Sequence, residues 1–157
     1  MEIQIDNQQT NQPLKIKAIH NKAQAILNAL DCPEGELSIL IVDDRRIAEL
    51  NQAYLQHEGP TNVISFSMRE GDFGDINPQL IGDVVISADT CAREADQAGI
   101  PVQRRFDQLL IHGILHLFGY DHVPSQTQAK VMEAKSEALL ALLDQLQETP
   151  PAIKPEG

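Results

Sequence analysis

The sequence predicts an α+β fold in a single domain, with one small mixed β-sheet packed with several helices. Three observations support this prediction. A chain of 157 residues is expected to form one domain. Its apolar residues follow strand and helix periods in the order strand, helix, strand, helix, two strands and then helices. We detect no repeat or linker, and we place the domain at 1–148 and a disordered, proline-rich tail at 149–157.

The first half of the chain is expected to form the centre of the sheet. Its continuous run of Leu, Ile and Val is typical of a strand that is covered on both faces. The elements expected here are a strand around Ile3 and Ile5, a helix at 13–30, a central strand at 37–42, and a helix that is capped by Asp43 or Asp44 and ends at 56–60.

The second half is expected to add two strands and three helices. Gly99 and Gly119 follow apolar helical segments and predict left-handed helix ends. The elements expected here are strands at 62–66 and 80–87 around a loop at 68–79, a helix capped by Ser87 or Asp89, a helix opened by Pro101, and an amphipathic helix after Ser125 that carries Val131, Ala138, Leu139, Leu142 and Leu146.

Composition restricts the functional classes. A net charge of −11 argues against a protein that binds nucleic acid through a broad basic surface. There is no apolar run of roughly 18 residues, so we expect no membrane span, and the N-terminus does not resemble a secretory signal. Cys32 and Cys91 form no disulfide framework. We therefore expect a cytoplasmic location.

The most informative segment is 106–122, which holds three of the five histidines. His112 and His116 are four residues apart and lie on one face of a helix. Gly119 ends that helix, and the following turn brings His122 back toward the pair. Three neutral imidazoles predict a zinc site with an open coordination position, one ion per chain, at the end of a buried helix. The alternative, three histidines in a core, would cost free energy unless every ring had a partner.

The spacing matches the zinc motif H-E-x-x-H-x-x-G-x-x-H of metzincin peptidases, except at one position. Gly113 stands where those peptidases have the Glu that serves as general base. The pattern therefore indicates hydrolytic zinc chemistry but argues against an ordinary protease.

Residues 112–122, His-Gly-Ile-Leu-His-Leu-Phe-Gly-Tyr-Asp-His, resemble the signature of the YbeY family. Leu50-Asn51 with 60–66, then 81–87 and 132–140, resemble further family motifs in the same order. The resemblance implies a metal-dependent single-strand endoribonuclease that acts in rRNA maturation and ribosome quality control. It also implies rRNA and the small ribosomal subunit as partners, and the same α+β architecture.

One departure from the family pattern concerns its usual Arg after the Leu-Asn motif, because Leu55 occupies that position here. Arg69, Arg93, Arg104 and Arg105 are possible substitutes. The candidate residues are therefore His112, His116 and His122 for metal, Asp83, Asp121 and Ser65 for catalysis, and Asn62, Arg104 and Arg105 for substrate binding. Asp83 and Asp121 are considered as partners for a histidine N–H.

Two alternatives to the nuclease stay open. The first is a zinc hydrolase acting on peptide, amide or ester bonds, with a carboxylate such as Glu58 or Asp83 as base. The second is a non-catalytic ribosome-assembly factor with a structural zinc.

Overall fold

The computed structural model describes residues 3–68, 79–120 and 126–148. The predictions for Arg69, Asp121, His122, Ser125 and the tail at 149–157 lie outside these ranges. Within them the α+β prediction is confirmed, since a mixed sheet packs against helices. Of the helices in these ranges, none combines the length and apolar character that a membrane span requires.

The sheet has four described strands in the order β1-β2-β4-β3. The first three strands in this order are parallel, and β3 runs antiparallel to β4. The prediction of a central β2 is confirmed, because β2 pairs with strands on both sides. The strand bounds are Ile3–Asn7 for β1, Glu36–Val42 for β2, Val63–Ser67 for β3 and Leu80–Ser87 for β4.

The helices begin and end close to the expected positions. Asp43 caps α2 by accepting a hydrogen bond from Arg46 N at 2.9 Å, and Ser87 caps α3. Gly99 and Gly119 adopt the expected left-handed conformation, with φ of 70° and 89°. The bounds are Ile16–Ala29 for α1, Asp44–Leu50 for α2, Ala88–Ala98 for α3, Val102–Leu117 for α4 and Gln126–Glu148 for α5, and a π-helical turn, Asn51–Leu55, continues α2.

Two apolar clusters cover the two faces of the sheet. The larger one joins alternate strand residues, including Ile39, Val84 and Ile86, to α1, α4 and α5. The smaller one packs Val42, Ile64 and Val85 against Ile47 of α2. Alternating side chains along each strand produce this division.

Three residues of the expected amphipathic α5 differ from the prediction. Val131, Ala138 and Leu146 are exposed, whereas Leu139 and Leu143 are buried against the main cluster. The buried face of α5 therefore centres on Leu139 and Leu143.

Asp44 fixes α3 relative to α2. Its carboxylate accepts hydrogen bonds from Ser87 Oγ and Thr90 Oγ1, both at 2.6 Å, and from the Arg93 guanidinium at 2.7 Å. Partial burial raises the pKa of Asp44, but these hydrogen bonds outweigh it and the net pKa lies below its usual value. The start of α3 is thereby held beside α2.

Candidate active site

Helix α4 presents a polar stripe along one side. Arg105, Gln108, His112 and His116 follow one another at spacings of three and four residues, so they share a face. The other sides of α4 carry apolar residues that are buried in the main cluster, such as Leu110 and Ile114. The stripe is therefore a polar and partly exposed side of α4.

The predicted metal pair lies at the C-terminal end of this stripe. The Nε2 atoms of His112 and His116 are 2.9 Å apart, and the ring centroids are separated by 4.4 Å. His112 is exposed and His116 is half-buried. Both ring nitrogens therefore converge on one point that solvent can reach.

This geometry fits a zinc site. Tetrahedral zinc with bonds of about 2.0–2.1 Å to nitrogen separates two ligand nitrogens by roughly 3.3 Å, a few tenths of an ångström more than the distance between these atoms. In the described ranges no group of three or more His, Cys, Asp or Glu side chains forms a metal cluster. The third predicted ligand, His122, lies outside them.

Gly113 lies where α4 packs closely against the sheet. A Cβ at this position would lie 2.7 Å from Val84 Cγ1 and 3.1 Å from Val63 Cγ2. A Glu like that of the peptidase motif would therefore collide with the sheet. The glycine allows α4 to pack closely against the sheet, and of the nearby histidines His112 is exposed and His116 is half-buried.

Ser65 reinforces the same contact. Its hydroxyl donates a hydrogen bond to the Gly113 carbonyl oxygen at 2.8 Å. The structure thus places this candidate catalytic residue at the contact between β3 and α4, where its hydrogen bond helps to position the helix.

A groove of about 580 Å³ runs beside the stripe, between α4 and α5. We call it the His112 groove. Its lining includes two of the predicted substrate-binding residues, Asn62 and Arg105. The remaining lining residues are Gln108, Leu109, Ile111, His112, Glu133, Ser136, Glu137 and Leu140.

Two other predicted residues are placed elsewhere. Arg104 turns toward α5, where one guanidinium nitrogen, Nη1, contacts both carboxylate oxygens of Asp144 at 2.8 and 2.9 Å.

Asp83 neighbours Val84 in β4 and so points to the opposite face of the sheet from α4. There it lines a different groove with Ser38, and burial raises the pKa of its carboxyl group while Ser38 opposes the rise. Asp83 is therefore not beside the histidine pair, which corrects its expected role as a partner for a histidine N–H.

Three acidic residues of the site were missed by the sequence analysis. Glu94 of α3 binds both Asn62 and Arg105, and Glu133 and Glu137 of α5 line the His112 groove. Glu133 and Glu137 are four residues apart, so their common helical face was the available signal. No sequence signal pointed to Glu94, because its partners are distant along the chain.

The family model described as Endoribonuclease YbeY matches residues 4–144 of the chain. An Endoribonuclease YbeY of Geobacter sulfurreducens is 49% identical over 145 residues, which cover 92% of this chain and 97% of the relative. One of Syntrophotalea carbinolica is 49% identical over 140 residues, which cover 88% and 93%.

The fold has a counterpart among solved structures. The solution structure of TM1509 from Thermotoga maritima matches with a TM-score of 0.67 and 22% identity, and the match covers 98% of this chain and 97% of that one. The sequence matches extend over nearly the whole domain and confirm the family that residues 112–122 resemble. The chain belongs to the YbeY family of endoribonucleases.

Proposed function

We propose that this protein is a zinc-dependent endoribonuclease that cleaves single-stranded RNA in rRNA maturation and ribosome quality control. The observation that carries the proposal is the convergence of His112 and His116 Nε2, 2.9 Å apart, at a groove that Asn62 and Arg105 also line. The curated relatives named Endoribonuclease YbeY support RNA as the substrate. We further propose that the protein acts in the cytoplasm on the small ribosomal subunit.

In this proposal His112, His116 and His122 hold the metal. A zinc ion there would act as a Lewis acid toward a phosphate oxygen and lower the pKa of a bound water molecule. Arg105 would bind a phosphate oxygen through its guanidinium N–H groups, and Asn62 would orient the same strand. Asp121 stays a candidate partner for a histidine N–H.

The general base is proposed to come from α5. Gly113 has no side chain for this role, whereas Glu133 and Glu137 line the groove with His112. These carboxylates also keep a second candidate function open, a zinc hydrolase of amide bonds, because they offer the kind of base that zinc peptidases use. Cleavage of an unstructured protein such as casein, assayed beside RNA on the same zinc-loaded sample, distinguishes the two functions.

The proposal is tested by measuring zinc content and RNA cleavage on the same preparations. We expect wild-type protein to contain stoichiometric zinc and to cleave a single-stranded rRNA fragment. His112→Ala and His116→Ala should lose both properties while the circular dichroism spectrum is retained. His20→Ala, which removes an exposed histidine of α1, is the matched control and should keep both.

Two outcomes would contradict the proposal. If His116→Ala cleaved RNA at the wild-type rate, the histidine pair would not be the active site. If wild-type protein bound zinc but cleaved no RNA, the assembly-factor alternative would be favoured. A role in maturation further requires faster cleavage of precursor rRNA than of mature rRNA.

A further inference from the structure

Side chains from α3, α4 and the segment before β3 meet at the wall of the His112 groove. Glu94 of α3 accepts hydrogen bonds from Arg105 of α4 and from Asn62, which precedes β3. Arg105 Nε and Nη2 lie 3.0 and 2.9 Å from the same oxygen, Glu94 Oε1. Asn62 Nδ2 lies 3.3 Å from each carboxylate oxygen.

The guanidinium group of Arg105 is held from two sides. Besides its contacts with Glu94, its Nη1 donates to Gln108 Oε1 at 2.7 Å. A guanidinium group has five N–H donors in a rigid plane. The hydrogen bonds to Glu94 and Gln108 use one N–H of Nε and one of Nη1, and Nη2 makes the ion pair with Glu94. The guanidinium group keeps further N–H donors for a phosphate oxygen.

Holding an arginine in this way affects binding through preorganisation. A flexible arginine loses conformational freedom when it binds a phosphate, and a preoriented one has already lost it in the folded protein. Glu94 and Arg105 are both only part-exposed, at 31% and 26% of their side-chain surface, so their pairing is less screened than that of a fully exposed pair.

We propose that Glu94 is a positioning residue, which holds Arg105 and Asn62 on the wall of the His112 groove for contact with single-stranded RNA. The inference rests on the proposed function, since it assigns the RNA contacts of that same site. Glu94 acts through its two partners and is not itself assigned a contact with the reacting atoms.

Glu94→Gln and Glu94→Ala separate positioning from charge. Both remove one negative charge from the groove, so an effect of charge alone would strengthen RNA binding equally in the two variants. Glutamine keeps an oxygen where Oε1 receives both contacts from Arg105, and Asn62 can turn its amide to suit. Alanine removes the acceptor and releases both residues.

The measurement is the anisotropy of a fluorescein-labelled, single-stranded 2′-O-methyl oligoribonucleotide, together with the kcat and KM of cleavage of the unmodified strand. We expect Glu94→Gln to bind at least as tightly as wild type, and Glu94→Ala to bind about tenfold more weakly, which is the scale of one lost charge-assisted hydrogen bond. The KM of Glu94→Ala should rise in parallel.

Two controls make the result specific. Glu49→Ala removes the same charge from an exposed ion pair on α2 and should leave Kd unchanged. In an Arg105→Ala background, Glu94→Ala should have little further effect, because its main partner is already absent. If Glu94→Ala alone has a lowered Tm, the comparison of Arg105→Ala with Glu94→Ala/Arg105→Ala tests the role of Glu94 instead.

The outcomes separate the two proposals. Equal Kd values for Glu94→Gln and Glu94→Ala, with RNA still bound and cleaved, would overturn only the role of Glu94. Additive effects of Glu94→Ala and Arg105→Ala would overturn it as well. A wild-type protein that neither binds nor cleaves RNA would overturn the proposed function and this inference with it.

Discussion

At the scale of single residues, Gly113 connects the motif to the fold. The absence of a side chain lets α4 approach Val84 and Val63 of the sheet, and its carbonyl oxygen accepts the Ser65 hydroxyl. The nearby His112 stays exposed and His116 half-buried beside this contact. The residue that separates this motif from the peptidase motif is therefore explained by packing.

We predict that Gly113→Ala destabilises the protein by up to about 2 kcal/mol. Alanine gains about 1 kcal/mol in helix propensity, but the added methyl group must displace the stiff side chain of Val84, and such overpacking costs about 1–3 kcal/mol. Urea unfolding measures the difference.

The double variant Gly113→Ala/Val84→Ala tests the cause. Removing the Val84 methyl groups should make the Gly113→Ala change neutral or stabilising, which appears as a favourable coupling in a double-mutant cycle. Equal destabilisation in both backgrounds would show that contact with Val84 is not the reason for the glycine.

At the scale of elements, α4 serves both the core and the site. Its buried side carries Asp107, whose two carboxylate oxygens each lie 3.1 Å from Lys22 Nζ of α1. The two side chains are only 2% and 5% exposed. Burial raises the pKa of Asp107 while Lys22 lowers it, and the net pKa lies above its usual value. This pair ties α1 to the helix that carries the histidines.

We predict that breaking the pair by Lys22→Met costs about 3–5 kcal/mol in the free energy of unfolding, because Asp107 is left buried without its cation. The double variant Lys22→Met/Asp107→Leu should recover most of that loss. Both are measured by denaturant unfolding.

An exposed ion pair provides the comparison. Arg46→Ala, which removes a surface contact with Glu49, should change stability by less than about 1 kcal/mol. If the double variant of the buried pair were as unstable as Lys22→Met alone, the desolvated charge would not be the cause of the loss.

At the scale of the whole molecule, the charge of −11 distinguishes this protein from most proteins that bind nucleic acid. Arg104 and Arg105 are paired with Asp144 and Glu94. RNA binding in the His112 groove is therefore expected to depend on a few directed contacts and on the metal, since the surface as a whole repels phosphate.

We predict a shallow salt dependence for RNA binding. Each phosphate neutralised on a single strand contributes a slope of about −0.7 to log K against log[salt], so one or two contacts give roughly −0.7 to −1.4. Salt also screens the repulsion between the acidic protein and the RNA, which favours binding and makes the slope shallower still. Anisotropy titrations between about 50 and 200 mM KCl measure it, and a slope steeper than about −3 would indicate an extended basic surface instead.

Much of the fold follows from local pattern. The apolar run of β2, the caps at Asp43 and Ser87 and the left-handed glycines at 99 and 119 all depend on neighbours a few residues away. The same holds for the placing of His112 and His116 side by side, because residues four apart share one face of an α-helix. These features follow from the amino-acid sequence alone, because the interactions that form them are short-range.

Other features were decided only by tertiary structure. Strand alternation shows that Asp83 and Val84 point to opposite faces, but only the packing of α4 shows that Val84 takes the face toward the histidine helix. The contacts of Glu94 with Asn62 and Arg105 span 32 and 11 residues, and Lys22 is 85 residues from Asp107. Such pairs form because separate elements pack side by side, and the spacing of residues along the chain does not predict which elements will do so.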